Sequence, residues 1–132
     1  MPIFGNLRQA IEDAASEAEN LFFLNTEPKS RETYFERGKL GDNGKGAVYA
    51  YFNEDGKALY VGQAGRHIKL RQHDQTSPHK SKPWWETWVA VRFMPISNET
   101  DRITLEYLLI IALKPPYNSK PGPREIEAMF TS

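Results

Sequence analysis

Apolar residues return at steps of three and four from the start of the chain. Phe4, Leu7, Ile11, Ala14, Ala18 and Leu21 or Phe22 form one stripe, which predicts a helix from about residue 4 to 22. Glu12, Asp13, Glu17 and Glu19 lie on its other side, as a solvated face over a packed one. Residues 25 to 46 are polar and end in the glycine-rich run Gly41 to Gly46, a loop with no sign of a site. From Ala47 the period changes to two. Val48 to Phe52 and Ala58 to Val61 flank Asp55-Gly56, the signature of a two-residue hairpin turn. With those two as the turn, Glu54 faces Lys57, Phe52 faces Leu59, Tyr51 faces Tyr60 and Tyr49 faces Gly62. Opposed residues share a sheet face. Ala50, Phe52, Leu59 and Val61 therefore fill one side, and Tyr49, Tyr51 and Tyr60 the other, with Gly62 leaving room beside Tyr49.

Arg66 to His73 lacks Gly and Pro and reads as a short helix leaving the second strand, followed by a loop over residues 74 to 83. Trp84, Trp85 and Trp88 lead into a third strand, Val89 to Phe93, ended by Pro95. Asn98 to Asp101 supply a cap and first-turn acids for a helix from Arg102 to Leu113, which Pro115-Pro116 must end. The tail from Lys120 carries Pro121-Gly122-Pro123 and a final helical turn or two through Phe130. The fold class expected is α/β of the α+β type: a small three-stranded antiparallel sheet flanked by helices, with an N-terminal helical extension.

A chain of 132 residues, 39% hydrophobic and 26% charged, has the composition of one globular domain and rules out large-scale disorder. No apolar run reaches the roughly 18 residues of a membrane span, and no secretion signal opens the chain, so a cytoplasmic protein without membrane association is expected. There is no cysteine, which excludes disulfides, thiolate zinc sites and cysteine nucleophiles. Seventeen Lys plus Arg balance seventeen Asp plus Glu, so any attraction to nucleic acid must be local. Such a locality exists. Residues 64 to 83 hold Arg66, Lys69, Arg71, Lys80 and Lys82 against only Asp74, together with His67, His73 and His79. The histidines recur at steps of six, which does not gather ligands on one helical face, so zinc is not indicated. The tryptophans serve equally as core or as a stacking platform.

Glu106 stands alone as a charge among Ile103 to Leu113. A carboxylate drawn out of water needs a partner, a hydrogen bond or a metal. Arg102, four residues earlier on the same helical face, offers a plain ion pair; a functional site is the other reading.

In order along the chain these segments resemble the GIY-YIG nucleases, over about residues 46 to 119. Val48-Tyr49-Ala50 stands at the Gly-Ile-Tyr triplet, aligned by its tyrosine, and Tyr60-Val61-Gly62 stands at Tyr-Ile-Gly, with the two tyrosines eleven residues apart. Lys69-Leu70-Arg71-Gln72-His73 is similar to the family's Arg-Leu-x-x-His helix. Glu106-Tyr107-Leu108-Leu109-Ile110 and Pro116-Tyr117-Asn118 are similar to its Glu-x-x-Leu-Ile and Pro-x-Tyr-Asn elements, most closely those of the excision-repair nuclease domain. Lys69 stands where the family has arginine, which keeps the charge and loses the planar fork that grips phosphate. Arg66, at helical spacing from Lys69 and His73, is placed to stand in.

The resemblance implies a metal-dependent endonuclease acting on DNA. It assigns Tyr49, Tyr60, Lys69, His73 and Glu106 as catalytic, with one Mg²⁺ or Mn²⁺ on Glu106. Tyr51 is the second choice for Tyr49. Arg66 and Arg71 are read as substrate contacts, and Asn118 as a substrate contact or a support that fixes the loop beneath the site. Residues 1–45 form an N-terminal helical extension and loop, 46–119 the nuclease-like unit and 120–132 a tail. Residues 1–45 carry eight acids against six bases and are no obvious DNA reader. Cutting both strands with one site per chain favours a homodimer. The competing readings are a nucleic-acid-binding module impaired by Lys69 and a protein-interaction module acting through the first helix.

Overall fold

Period-two alternation over 47–64 does produce a hairpin, and it forms one half of the sheet. The computed structural model describes residues 2–35, 45–65 and 83–118. Within these, four antiparallel strands, β1 (Lys29–Ser30), β2 (Ala47–Phe52), β3 (Ala58–Ala64) and β4 (Ala90–Pro95), lie in the order β1-β4-β2-β3. Three α-helices accompany them: α1 (Pro2–Leu24), α2 (Arg31–Phe35) and α3 (Glu99–Leu113). The expected class holds, with one strand more than expected. β1 has only two polar residues, paired with Val91 and Ala90, so no alternation announces it. It and α2 fall in the polar stretch from residue 25, to which the sequence reading assigned no element. The expected helix at 66–73, the loop after it and the tail from Lys120 lie outside the described residues.

Tyr51 faces Tyr60 and Tyr49 faces Gly62, as the alternation requires, but Phe52 faces Ala58 and not Leu59. The turn is one residue longer than expected. Asn53 N donates to Lys57 O at 2.9 Å and Gly56 N to Asn53 O at 2.9 Å, leaving Glu54, Asp55 and Gly56 as the loop, with Gly56 at φ +80°. The three-residue loop ending in a left-handed glycine shifts the pairing by one residue, and a second irregularity, with Leu59 as the extra residue between Ala58 and Tyr60, restores the register beyond it. Leu59 therefore joins the aromatic side of the sheet.

Both sheet faces are covered, which is why all six residues of β2 are buried. On one side α1 and α3 pack together over Val48, Ala50, Phe52, Ala58 and Val61. The buried positions of α1 are Ala15, Ala18 and Phe22, while Leu7 and Leu21 are exposed, so the working stripe is rotated from the one read in the sequence. On the other side Tyr34, Tyr49, Tyr51, Trp84, Trp85, Trp88 and Val91 form an aromatic layer. All three tryptophans are core, two of them presented by a 3₁₀ turn at Pro83–Glu86. Arg31 ties this layer down, donating to Trp85 O at 2.7 Å and lying 4.6 Å from the Trp88 ring centre. No helix among the described residues is long and apolar enough to cross a membrane.

Candidate active site

Tyr49 sits in the middle of β2 with Gly62 directly across from it. A Cβ built on Gly62 would lie 2.5 Å from the Tyr49 hydroxyl oxygen and 2.6 Å from Cζ. The phenol thus lies across the glycine, in space any side chain would fill. Tyr60, on the same face of β3, brings its ring centre 6.4 Å from that of Tyr49 and stacks on Trp84 at 5.2 Å and 10°. Tyr49 is buried and Tyr60 half-buried.

Tyr51 belongs to the core. Its hydroxyl donates to that of Tyr34 at 3.3 Å, and its ring centre lies 5.0 Å from those of Trp84 and Trp88. Burial, reinforced by Tyr34, pushes its pKa well above the usual phenol value. Burial raises that of Tyr34 as well, against smaller opposing effects from the Tyr51 hydrogen bond and Arg31. Tyr51 is thus a neutral phenol hydrogen-bonded within the aromatic layer.

α3 starts where the sequence places its cap. Asn98 accepts from Asp101 N at 2.9 Å, and the helix ends at Lys114 in a left-handed conformation with φ 50°. Arg102, in the first turn, does not pair with Glu106. Its Nε donates to Gln63 Oε1 at 2.8 Å, and its Nη1 to the carbonyls of Ile96 and Ser97, each at 3.1 Å. No ion pair among the described residues joins the two. Gln63, which accepts from the guanidinium, and Gly46, which leaves room for it, are contacts that sequence reading missed. Nothing local marks them, since Gln63 lies 39 positions from Arg102.

Glu106 is half-buried one turn further on, beside the buried Leu105, Leu109 and Ile110. Beyond the helix, Tyr117 N donates to Leu59 O at 3.2 Å, while Asn118 accepts from Val61 N at 2.9 Å and donates to Val61 O at 2.6 Å. Asn118 thus mimics a strand neighbour at the edge of β3. Its amide is a clip that fixes the returning chain, and we assign it no substrate contact. α3 is fastened at one end to the last residues of β3 and at the other to its first half, and Glu106 lies between these anchors. Lys69 and His73, like Arg66 and Arg71, lie outside the described residues.

Among the described residues no group of three or more His, Asp or Glu gathers to cage a metal. A single carboxylate is nevertheless a donor set that suits Mg²⁺ or Mn²⁺. Such hard cations keep several waters and bind through one or two carboxylates plus substrate phosphates.

Residues 45–119 match the UvrC-like GIY-YIG domain. The chain is 32% identical over 100 residues to the UvrABC system protein C of Bacteroides thetaiotaomicron, covering 72% of this chain and 16% of that protein. The same protein of Flavobacterium johnsoniae is 36% identical over 78 residues, 54% of this chain and 12% of the relative, and that of Nautilia profundicola 35% over 81, 54% and 13%. The matched stretch thus spans less than a fifth of these relatives. No solved structure matches the chain. With its two tyrosines across a cross-strand glycine and its matching stretch running from the hairpin through Asn118, the chain belongs to the UvrC-like GIY-YIG domain family.

Proposed function

We propose that this chain is a metal-dependent endonuclease that hydrolyses phosphodiester bonds in DNA by a one-metal GIY-YIG mechanism. The observation that carries the reading is the Tyr49 phenol laid across Gly62 beside Tyr60, in a chain of this family. A phosphodiester needs an activated water, charge to meet that developing on phosphorus, and help for the leaving oxygen. Tyr49, assisted by His73, takes the proton of the attacking water as its oxygen bonds to phosphorus and the bond to the 3′ oxygen breaks. Tyr60, with Lys69 or Arg66, holds the non-bridging oxygens. Cationic neighbours also favour the ionised phenol that a base requires at neutral pH. Glu106 would hold the ion. When bound, Mg²⁺ or Mn²⁺ supplies polarisation of the phosphate and counter-charge for the leaving oxygen.

The test is cleavage of supercoiled plasmid with Mg²⁺ or Mn²⁺, which stops when the metal is chelated. One residue favours a second reading. Lys69 in place of arginine lacks the bidentate fork, so a folded chain that binds DNA and leaves it intact with either metal is a binding module.

A further inference from the structure

Arg102 is the one charged side chain among the described residues that is buried, at 7% exposure. A buried cation is costly unless an anion or a full set of hydrogen bonds compensates it. Arg102 has neither. A guanidinium carries five N–H groups. One, on Nε, goes to Gln63, and the two on Nη1 go to the Ile96 and Ser97 carbonyls. Nη2 donates to no described residue, and no carboxylate among them pairs with the group. All three acceptors are neutral.

Two glycines make room for the guanidinium. A Cβ on Gly46 would lie 2.6 Å from Nη1 and 3.1 Å from Cζ, and one on Gly65 would lie 3.3 Å from Nη2. Gly46 has φ +114°, a conformation that favours glycine whatever the space, so crowding is not its only reason to be glycine. Gly65 carries no such constraint, and its missing side chain leaves the Nη2 edge open. The group is thus held rigid on three N–H groups, with two left aimed past a glycine. A purely structural role accounts for the first three and not for the last two.

Arg102 and Glu106 are four apart on α3, a spacing that puts Cβ atoms about 5–6 Å from each other. We propose that Nη2 of Arg102 binds a backbone phosphate of DNA at the Glu106 site, supplying the planar guanidinium that Lys69 does not. The ligand's identity rests on the nuclease reading; the unfilled donor edge does not. Gln63 and the two carbonyls act as positioning groups, fixing the fork before substrate arrives so that little ordering is lost on binding.

The test is binding of a fluorescent DNA duplex to the full chain, without metal so that nothing is cut, across a salt series. Each phosphate contact contributes about 0.9 to the slope of log affinity against log salt. Arg102→Gln should flatten the slope by about 1 and weaken binding about tenfold at low salt. Arg102→Lys keeps the charge and should keep the slope. Gly65→Val leaves the Gln63, Ile96 and Ser97 bonds in place and crowds Nη2, so it should reproduce the Arg102→Gln slope even if that variant folds poorly. Wild-type slopes in Arg102→Gln and Gly65→Val would overturn this inference alone. A wild-type chain that binds no DNA would overturn the nuclease reading together with it.

Discussion

The Tyr49 hydroxyl lies 2.5 Å from the position a Cβ on residue 62 would take, too close for both to stay. Gly62→Ala must therefore move either the phenol or the strand, at a cost of about 1–3 kcal/mol for overpacking. The chain should stay folded with a lower melting temperature and lose most of its cleavage, whereas a fully active Gly62→Ala would show that Tyr49 need not lie where it does. Tyr34 and Tyr51 set a different limit. Both are held neutral by burial, so their folded pKa values lie above the unfolded value of about 10. Below pH 10 both states keep the proton and the contribution is fully present. Above it the unfolded chain loses protons that the folded chain retains, and stability falls as pH rises. Denaturant titrations should show constant stability from these groups to about pH 10 and a decline beyond it, delayed in Tyr34→Phe and Tyr51→Phe.

At the scale of elements, α3 is placed by its fastenings. Asn118→Ala removes two hydrogen bonds and leaves Val61 N and O without them, which should cost about 1–3 kcal/mol in a denaturation curve while β2 and its pairing with β4 persist. α3 itself was legible in the sequence because its signals are local: Asn98 caps it and Pro115-Pro116 follow its end. The hairpin was legible too, from Tyr51 inward, since period two fixes which residues share a face. Its turn was not, because Asp55-Gly56 suits both a two-residue loop and the three-residue one found here, and the difference moves Leu59 to the other face. The tyrosine pair and Gly62 could be found from strand pairing alone. Arg102's partners could not, since Gln63, Ile96 and Ser97 gather around it through tertiary packing.

Across the whole molecule, the family match begins at residue 45, yet the core does not. Phe22 from α1 packs with Val48, Ala50 and Leu109, while Tyr34 from α2 packs among the tryptophans on the opposite face. Phe22 is 0% exposed, so Phe22→Ala should destabilise by about 3–5 kcal/mol, measured by denaturant unfolding. A variant that loses less than 1 kcal/mol would mean that α1 is an ornament on an independent core. With α1 and α3 on one side and aromatic rings on the other, the sheet is a rigid mount for Tyr49 and Tyr60. Glu106 lies on α3, whose apolar side packs against the face opposite the tyrosines.

Whether that mount performs chemistry is tested most directly by supercoiled plasmid in Mg²⁺ or Mn²⁺, with wild type beside Glu106→Ala and Tyr49→Phe. Nicking or linearisation by wild type, reduced at least about 100-fold in both variants while their folds persist, is the predicted result. A folded wild type that leaves plasmid, single-stranded and branched DNA intact with both metals, or variants that cut as well as wild type, would contradict it.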